Sequence, residues 1–177
     1  KEVKELAAKG YKEVTLLGQN VNAYGKDLGI DYTFANLLTD LNKINIDRIR
    51  FTTSHPRDFD DATIEAMALG GNIMPHLHLP VQSGNDEVLK RMNRKYTSKE
   101  YIDKMKKLKA KVPGISITTD IIVAFPGETE EQFQDTVKLV KEIEYEGAYT
   151  FIYSPREGTP AAKYPNPLTE DEKKARL

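Results

Sequence analysis

The chain has no cysteine among its 177 residues, which excludes disulfides and thiolate-held metal or iron–sulfur centres within them. No apolar run approaches the roughly 18 residues that a membrane-spanning helix needs. The opening KEVKELAAKG has the pattern of an amphipathic helix, not of a secretory signal. Net charge is lacking too: 26 basic residues stand against 27 acidic ones. No global field therefore draws the chain to nucleic acid or membrane, and any nucleic-acid contact must be local. Neither a P-loop nor a Rossmann-type glycine-rich loop is present. The expectation is a cytoplasmic protein with no membrane partner.

What is present is a beat. Short apolar runs rich in β-branched or aromatic residues occur at 13–17, 47–53, 76–81, 116–125 and 148–153, each reading as a strand. Helix-period stretches lie between them at 33–45, 59–70, 85–92 with 98–111, and 129–146. Such βα alternation implies a parallel sheet covered by helices. Thr97 with Glu100, Thr129 with Gln132 and Thr169 with Glu172 have the spacing of capping boxes. Gly10, Gly70, Gly114 and Gly147 fall just past helix ends, where a left-handed residue is wanted. With 39% apolar residues and no linker, one domain is expected.

Each strand is followed by a polar elbow rich in Gly or Pro: GQNVNAYG, TSHPRD, QSGND, PGETEE and SPREGTPA. Loops leaving the carboxyl ends of parallel strands build active sites, so the five elbows point to one shared site. A closed barrel needs eight units. Five strands fit an α/β fold of the partial, open (β/α) TIM-like barrel type, with a doubly wound sheet left open by pattern alone.

Individual residues admit more than one role. Asp120, inside the apolar SITTDIIVAF, needs a hydrogen-bonding partner, structural or functional. Gln82 and Ser83 either cap the helix starting near Asn85 or hold a ligand. Arg94, amid Lys90, Arg91 and Lys95, is either a solvated charge or a ligand contact. His76 and His78 share one face of a strand, a spacing compatible with a metal. With His55 at an elbow they form the alternative of a metal-dependent TIM-barrel hydrolase, although their place at the start of the strand favours core or barrel-floor histidines. A non-catalytic RNA-binding module is a further alternative.

Taken in order, LLGQNVNAYG, RIRFTTSHP, HLPVQSGNDEVLKRMNRKYT, TTDIIVAFPGETEEQF and AYTFIYSPREGTPA closely resemble the radical S-adenosylmethionine (SAM) core of the MiaB-type tRNA methylthiotransferases. The resemblance runs through nearly the whole chain. It implies addition of a methylthio group to carbon 2 of an N6-isopentenyladenosine beside the anticodon, in a single-stranded loop. Alternative substrates within the family are another tRNA adenosine derivative or a ribosomal protein. The cofactors implied are SAM, as source of a methyl group and of a 5′-deoxyadenosyl radical, and two [4Fe-4S] clusters in the full-length enzyme. None is ligated by this chain. The partners implied are the tRNA anticodon loop, a reductant and a sulfur source. Residues 1–177 then form the radical SAM core, with its first strand and cluster loop upstream of Lys1. An N-terminal methylthiotransferase domain and a C-terminal RNA-binding domain would lie outside it, and the strand at 13–17 would be a sheet edge.

By the same resemblance, Gln82, Arg94 and Asp120 match positions that approach bound SAM, with Ser83 beside Gln82. Ser54 and His55 match the elbow flanking the ligand, and Gln19 with Asn20 stand where other superfamily members carry an amine-binding loop. Two departures are Asn85, where Ser is commoner, and Ala124, where Gly is commoner.

Overall fold

The computed structural model describes residues 1–29, 31–52 and 54–177. The chain forms two compact units, residues 1–79 with 104–117 and residues 80–103 with 118–177. Strands and helices alternate as the pattern requires: α1 (Glu2–Ala8), β1 (Glu13–Leu16), α2 (Phe34–Leu41), β2 (Arg48–Phe51), α3 (Asp61–Ala68), β3 (His76–His78), α4 (Asp86–Arg91), α5 (Ser98–Lys111), β4 (Ser116–Val123), α6 (Glu130–Ile143), β5 (Gly147–Ile152) and α7 (Glu170–Arg176). The strands fall into two sheets, β1-β2 and β3-β4-β5. Among the described residues no closed barrel forms. Thr53, expected to end the second strand and open its elbow, lies outside the described residues.

In the first unit β1 and β2 run parallel, with Glu13 opposite Arg48 and Leu16 opposite Phe51. The two-residue period divides the pair. Ile49 and Phe51 are buried, while Glu13, Arg48 and Arg50 form cross-strand ion pairs on the other face. β1 is an edge strand, as expected, and charge on such an edge discourages pairing with another chain. α2 starts on a capping box between Thr33 and Asn36 and buries Phe34, Leu38 and Leu41 at helical spacing. Phe34 meets Phe51 edge to face at 5.1 Å. Each such buried side chain is worth about 1.5–3 kcal/mol. Ser116 N–H donates to the Pro75 carbonyl, tying the start of β4 to the chain entering β3.

In the second unit β4 and β5 are parallel, with Asp120 opposite Tyr149 and Ile122 opposite Phe151. Thr119, Ile121 and Val123 of β4 are buried, and Asp120 and Ile122 lie half-exposed on the other face. Capping boxes open α6 at Thr129 and α7 at Thr169, and Thr97 and Glu100 bond reciprocally before α5.

Two expectations about elements need correction. The third strand was expected over 76–81 but ends at His78, because Pro80 has no N–H to give the ladder. The chain rejoins β4 only at Gln82, which forms an isolated bridge with Ile121. Gly147 is not the left-handed residue after α6. Glu144 takes that conformation, at φ 53°, and Gly147 opens β5.

Candidate functional site

The Gln82 elbow is fixed from both sides within the second unit. Val81 N–H donates to Thr119 Oγ1 at 2.9 Å, Gln82 N–H to the Asp120 carbonyl, and Ile122 N–H to the Gln82 carbonyl, both at 2.9 Å. Gly84 N–H donates to Thr136 Oγ1 of α6 at 2.9 Å. A Cβ on Gly84 would come within 2.6 Å of the Asp135 carbonyl oxygen and the Thr136 Cα, so only glycine lets the elbow lie against α6. Gln82 itself has φ 71°. A left-handed conformation costs a non-glycine residue about 1–2 kcal/mol, and such strain persists only where surroundings enforce it.

Neither Gln82 nor Ser83 caps α4. Asn85 does, its Oδ1 accepting from Glu87 and Val88 N–H, while its Nδ2 donates to Asp135 at 2.9 Å. Ser83 is fully buried with Oγ 3.3 Å from Thr136 Oγ1. It holds the elbow and is absent from the cavity wall.

Past α4, Asn93 adopts a left-handed conformation at φ 58°, and Arg94 N–H returns to the Leu89 carbonyl at 2.9 Å. This helix ending turns Arg94 back toward the elbow. Gln82, Arg94 and Asp120 thereby line one cavity of about 1070 Å³. Asp120 is half-buried, not sealed in the core as the sequence suggested, because strand alternation puts it on the cavity face. Arg94 Nε is buried with no hydrogen-bond partner, so no hydrogen bond to Asp120 is made through that atom. Lys90, Arg91, Arg94 and Arg156 line the cavity against Glu87 and Asp120, four cations to two carboxylates. The positive charge that the whole chain lacks is thus present locally.

The next wall is the elbow after β4. Ala124 has φ 57° and is fully buried; a glycine would relieve that backbone. Its N–H donates to Glu128 Oε2 at 2.8 Å and its carbonyl accepts from Asn166 Nδ2 at 3.0 Å. Burial pushes the Glu128 carboxyl up, against the Ala124 N–H and the Arg176 guanidinium, which pull it down. Arg91 donates to the Pro126 carbonyl at 2.8 Å and lies over the Phe125 ring. Phe125 in turn packs edge to face with Tyr153 at 5.0 Å.

In the first unit the other expected residues form a separate group. Asn22, buried, accepts from His55 N–H at 3.0 Å and donates to the His55 carbonyl at 3.2 Å, joining the first and second elbows. Asn20 Nδ2 donates to Asp58 at 2.6 Å, and Arg57 and Lys26 also bond that carboxylate. Burial would raise the Asp58 carboxyl, but these three donors outweigh it and hold it well below the usual carboxylate range. Ser54 Oγ and Asn20 Oδ1 are buried without hydrogen-bond partners, and Gln19 is exposed. Asn22 and Asp58 were not singled out from sequence, since Asn22 bonds His55, and Asp58 bonds Asn20 and Lys26, across more than thirty residues. Burial pushes the His76 imidazole down, helped by Arg50 and His78. Among the described residues no group of three or more His, Cys, Asp or Glu could hold a metal ion.

The model of the radical SAM superfamily matches residues 1–140. The chain belongs to the radical SAM superfamily. It is 60% identical over 177 residues to proteins named tRNA-2-methylthio-N(6)-dimethylallyladenosine synthase from Oceanobacillus iheyensis and Geobacillus thermodenitrificans, covering 99% of this chain and 34% of each of theirs. The chain thus spans about a third of the length of these curated relatives. Among solved structures, coproporphyrinogen III oxidase from Escherichia coli, a radical SAM enzyme, matches with TM-score 0.63 at 20% identity over 81% of this chain and 34% of its own. Methylornithine synthase matches with TM-score 0.63 at 16% identity over 99% of this chain and 50% of its own. The fold is therefore that of a radical SAM TIM-like barrel, present in part. No finding supports the hydrolase alternative.

The residues present fit SAM. The cavity offers an unpartnered guanidinium nitrogen, a carboxylate and an amide, matching the carboxylate, ribose hydroxyls and adenine edge of that cofactor. They do not fit an iron–sulfur cluster, because the chain has no thiolate to ligate one.

Proposed function

We propose that this chain is the SAM-binding core of a tRNA methylthiotransferase. In a longer protein it adds a methylthio group to carbon 2 of N6-isopentenyladenosine in a cytoplasmic tRNA anticodon loop. N-terminal methylthiotransferase and C-terminal RNA-binding domains, two [4Fe-4S] clusters, a reductant and a sulfur source belong to that whole protein. The observation that carries the reading is the meeting of Gln82, Arg94 and Asp120 on one cavity, in a chain 60% identical to proteins of that name.

The chemistry supplied at the site is that of the SAM sulfonium, methyl transfer and radical generation. Arg94 donates to the cofactor carboxylate, and charge-assisted bonds of this kind are about twice as strong as neutral ones. Asp120 accepts from ribose hydroxyls, and Gln82 reads a polar edge with its amide. The strained Gln82 backbone and the Gly84 contact hold that amide at the cavity without rearrangement. Ile122 and Phe125, also on the wall, exclude water from the reacting centre. Ser83 supports the Gln82 elbow through Thr136, and a role for Gln19, Asn20, Ser54 and His55 rests on the family resemblance alone.

The test is to supply the full-length protein, reconstituted anaerobically, with SAM, reductant, a sulfur source and isopentenylated tRNA, followed by mass spectrometry of the digested nucleosides. A 2-methylthio derivative of the isopentenylated adenosine is the expected product. Its absence, with a related positive-control enzyme active, would overturn the reading.

A further inference from the structure

The three proposed cofactor contacts account for only part of the cavity wall. At about 1070 Å³ the cavity slightly exceeds the range of about 300–1,000 Å³ for small-molecule sites, so one nucleoside-sized cofactor leaves it incompletely filled. The rest of the wall has a different chemistry. The β4–β5 register sets Ile122 opposite Phe151, and paired residues of parallel strands share a face, so Phe151 stands on the face that carries Asp120. Phe151 is 51% exposed and lines the cavity with Tyr153, Arg156 and Tyr164. The Tyr153 hydroxyl is buried with no hydrogen-bond partner, while its ring is braced on Phe125. An open aromatic face, an unpartnered hydroxyl and an excess of cations meet at one wall.

We infer that this wall is the substrate subsite, taking a planar base from single-stranded RNA: Phe151 is its stacking platform and Arg156 its backbone-phosphate contact. The inference rests on the proposed methylthiotransferase reading and assigns residues which that reading leaves without a role. Base–aromatic stacking needs an exposed ring on a rigid support, and β5, paired along its length with β4, supplies one. The two-charge excess of cations along the cavity suits phosphodiester oxygens, which the near-neutral remainder of the chain does not attract. Tyr153 offers a donor or acceptor to the edge of the same base. Phe151 is exposed, so its removal leaves the core intact.

The experiment uses the full-length, cluster-loaded protein and an anticodon stem-loop RNA carrying 2-aminopurine in place of the loop adenosine. Its fluorescence is quenched by stacking, independently of turnover. Phe151→Ala should abolish the protein-dependent quench and weaken RNA binding by roughly 5- to 150-fold, the range of one lost base–aromatic stack. Phe151→Trp should keep both, and SAM affinity should not change in either. Arg156→Gln should weaken RNA binding and lower its salt dependence by about one phosphate contact.

Unchanged quench and RNA affinity in Phe151→Ala would overturn the inference. So would loss of SAM affinity in that variant, which would give the ring to the cofactor. Failure of the underlying reading looks different: Arg94→Ala and Asp120→Ala would then leave SAM affinity unchanged whatever Phe151 does.

Discussion

Arg176 closes the last helix onto Glu128, and its loss should be felt in a pH-dependent way. The two side chains are 9% and 1% exposed, with 3.0 Å between Nη1 and Oε2. Arg176→Ala would leave a buried carboxylate with the Ala124 N–H and only the field of Arg91, which makes no hydrogen bond to it. Removing one partner of a buried pair costs about 3–5 kcal/mol. Apart from Lys173 and Arg176, α7 is exposed, so water lies close to the pair and we expect the low end, about 3 kcal/mol at pH 7. The Glu128 carboxyl is already raised in the folded state. A raised folded pKa means that its stabilising contribution is complete below the unfolded value, near 4.5, and is lost as pH rises through the folded one. Without Arg176 the folded value rises further. The deficit of the variant should therefore be small at pH 4.5 and open toward neutrality, and Glu128→Gln in the same background should recover most of it at pH 7. Urea unfolding followed by circular dichroism at both pH values measures this. An equal loss at the two pH values, or a double variant less stable than the single one, would refute the reasoning.

Gly84→Ala should destabilise by about 1–3 kcal/mol or more through overpacking against the α6 backbone, read as a lower urea midpoint. Ala124→Gly should be nearly neutral: relief of about 1–2 kcal/mol of left-handed strain is offset by a lost buried methyl of about 0.8 kcal/mol and by added unfolded-state entropy of about 0.4–1 kcal/mol. A change above 2 kcal/mol in either direction would contradict that balance. Asp58 has a depressed folded pKa, so its contribution is present above the unfolded value near 3.8 and fades as pH falls through the folded one. Asp58→Asn should be less stable than the parent at pH 6 and should flatten the loss of stability on acidification below about pH 4; an unaltered acid profile would remove that role.

Features whose causes are local were legible in the sequence. The boxes at Thr97, Thr129 and Thr169 join residues three apart, and the strands at 13–16, 48–51 and 147–152 follow from runs of β-branched and aromatic residues. The box at Thr33 was missed because Asn36 stands where Glu or Gln is usual. The joining of Gln82, Arg94 and Asp120 on one cavity was expected from the resemblance to a family, not from spacing. Features set by tertiary contact were not legible. Ser83 reads as a cap until Thr136, fifty-three residues on, claims its hydroxyl. The role of Asp58 depends on Asn20 and Lys26, distant in sequence, which join Arg57 around its carboxylate. Left-handed Gln82, Ala124 and Glu144 break the rule that glycine fills such positions, and no one-dimensional pattern marks them.

The most direct measurement of the central claim is equilibrium dialysis of labelled SAM against the full-length, cluster-loaded protein and its Arg94→Ala and Asp120→Ala variants. Loss of one charge-assisted hydrogen bond, about 1.5–3 kcal/mol, should weaken SAM binding roughly 10- to 150-fold in each variant while circular dichroism and tRNA affinity hold. SAM affinity unchanged in both variants would contradict the account.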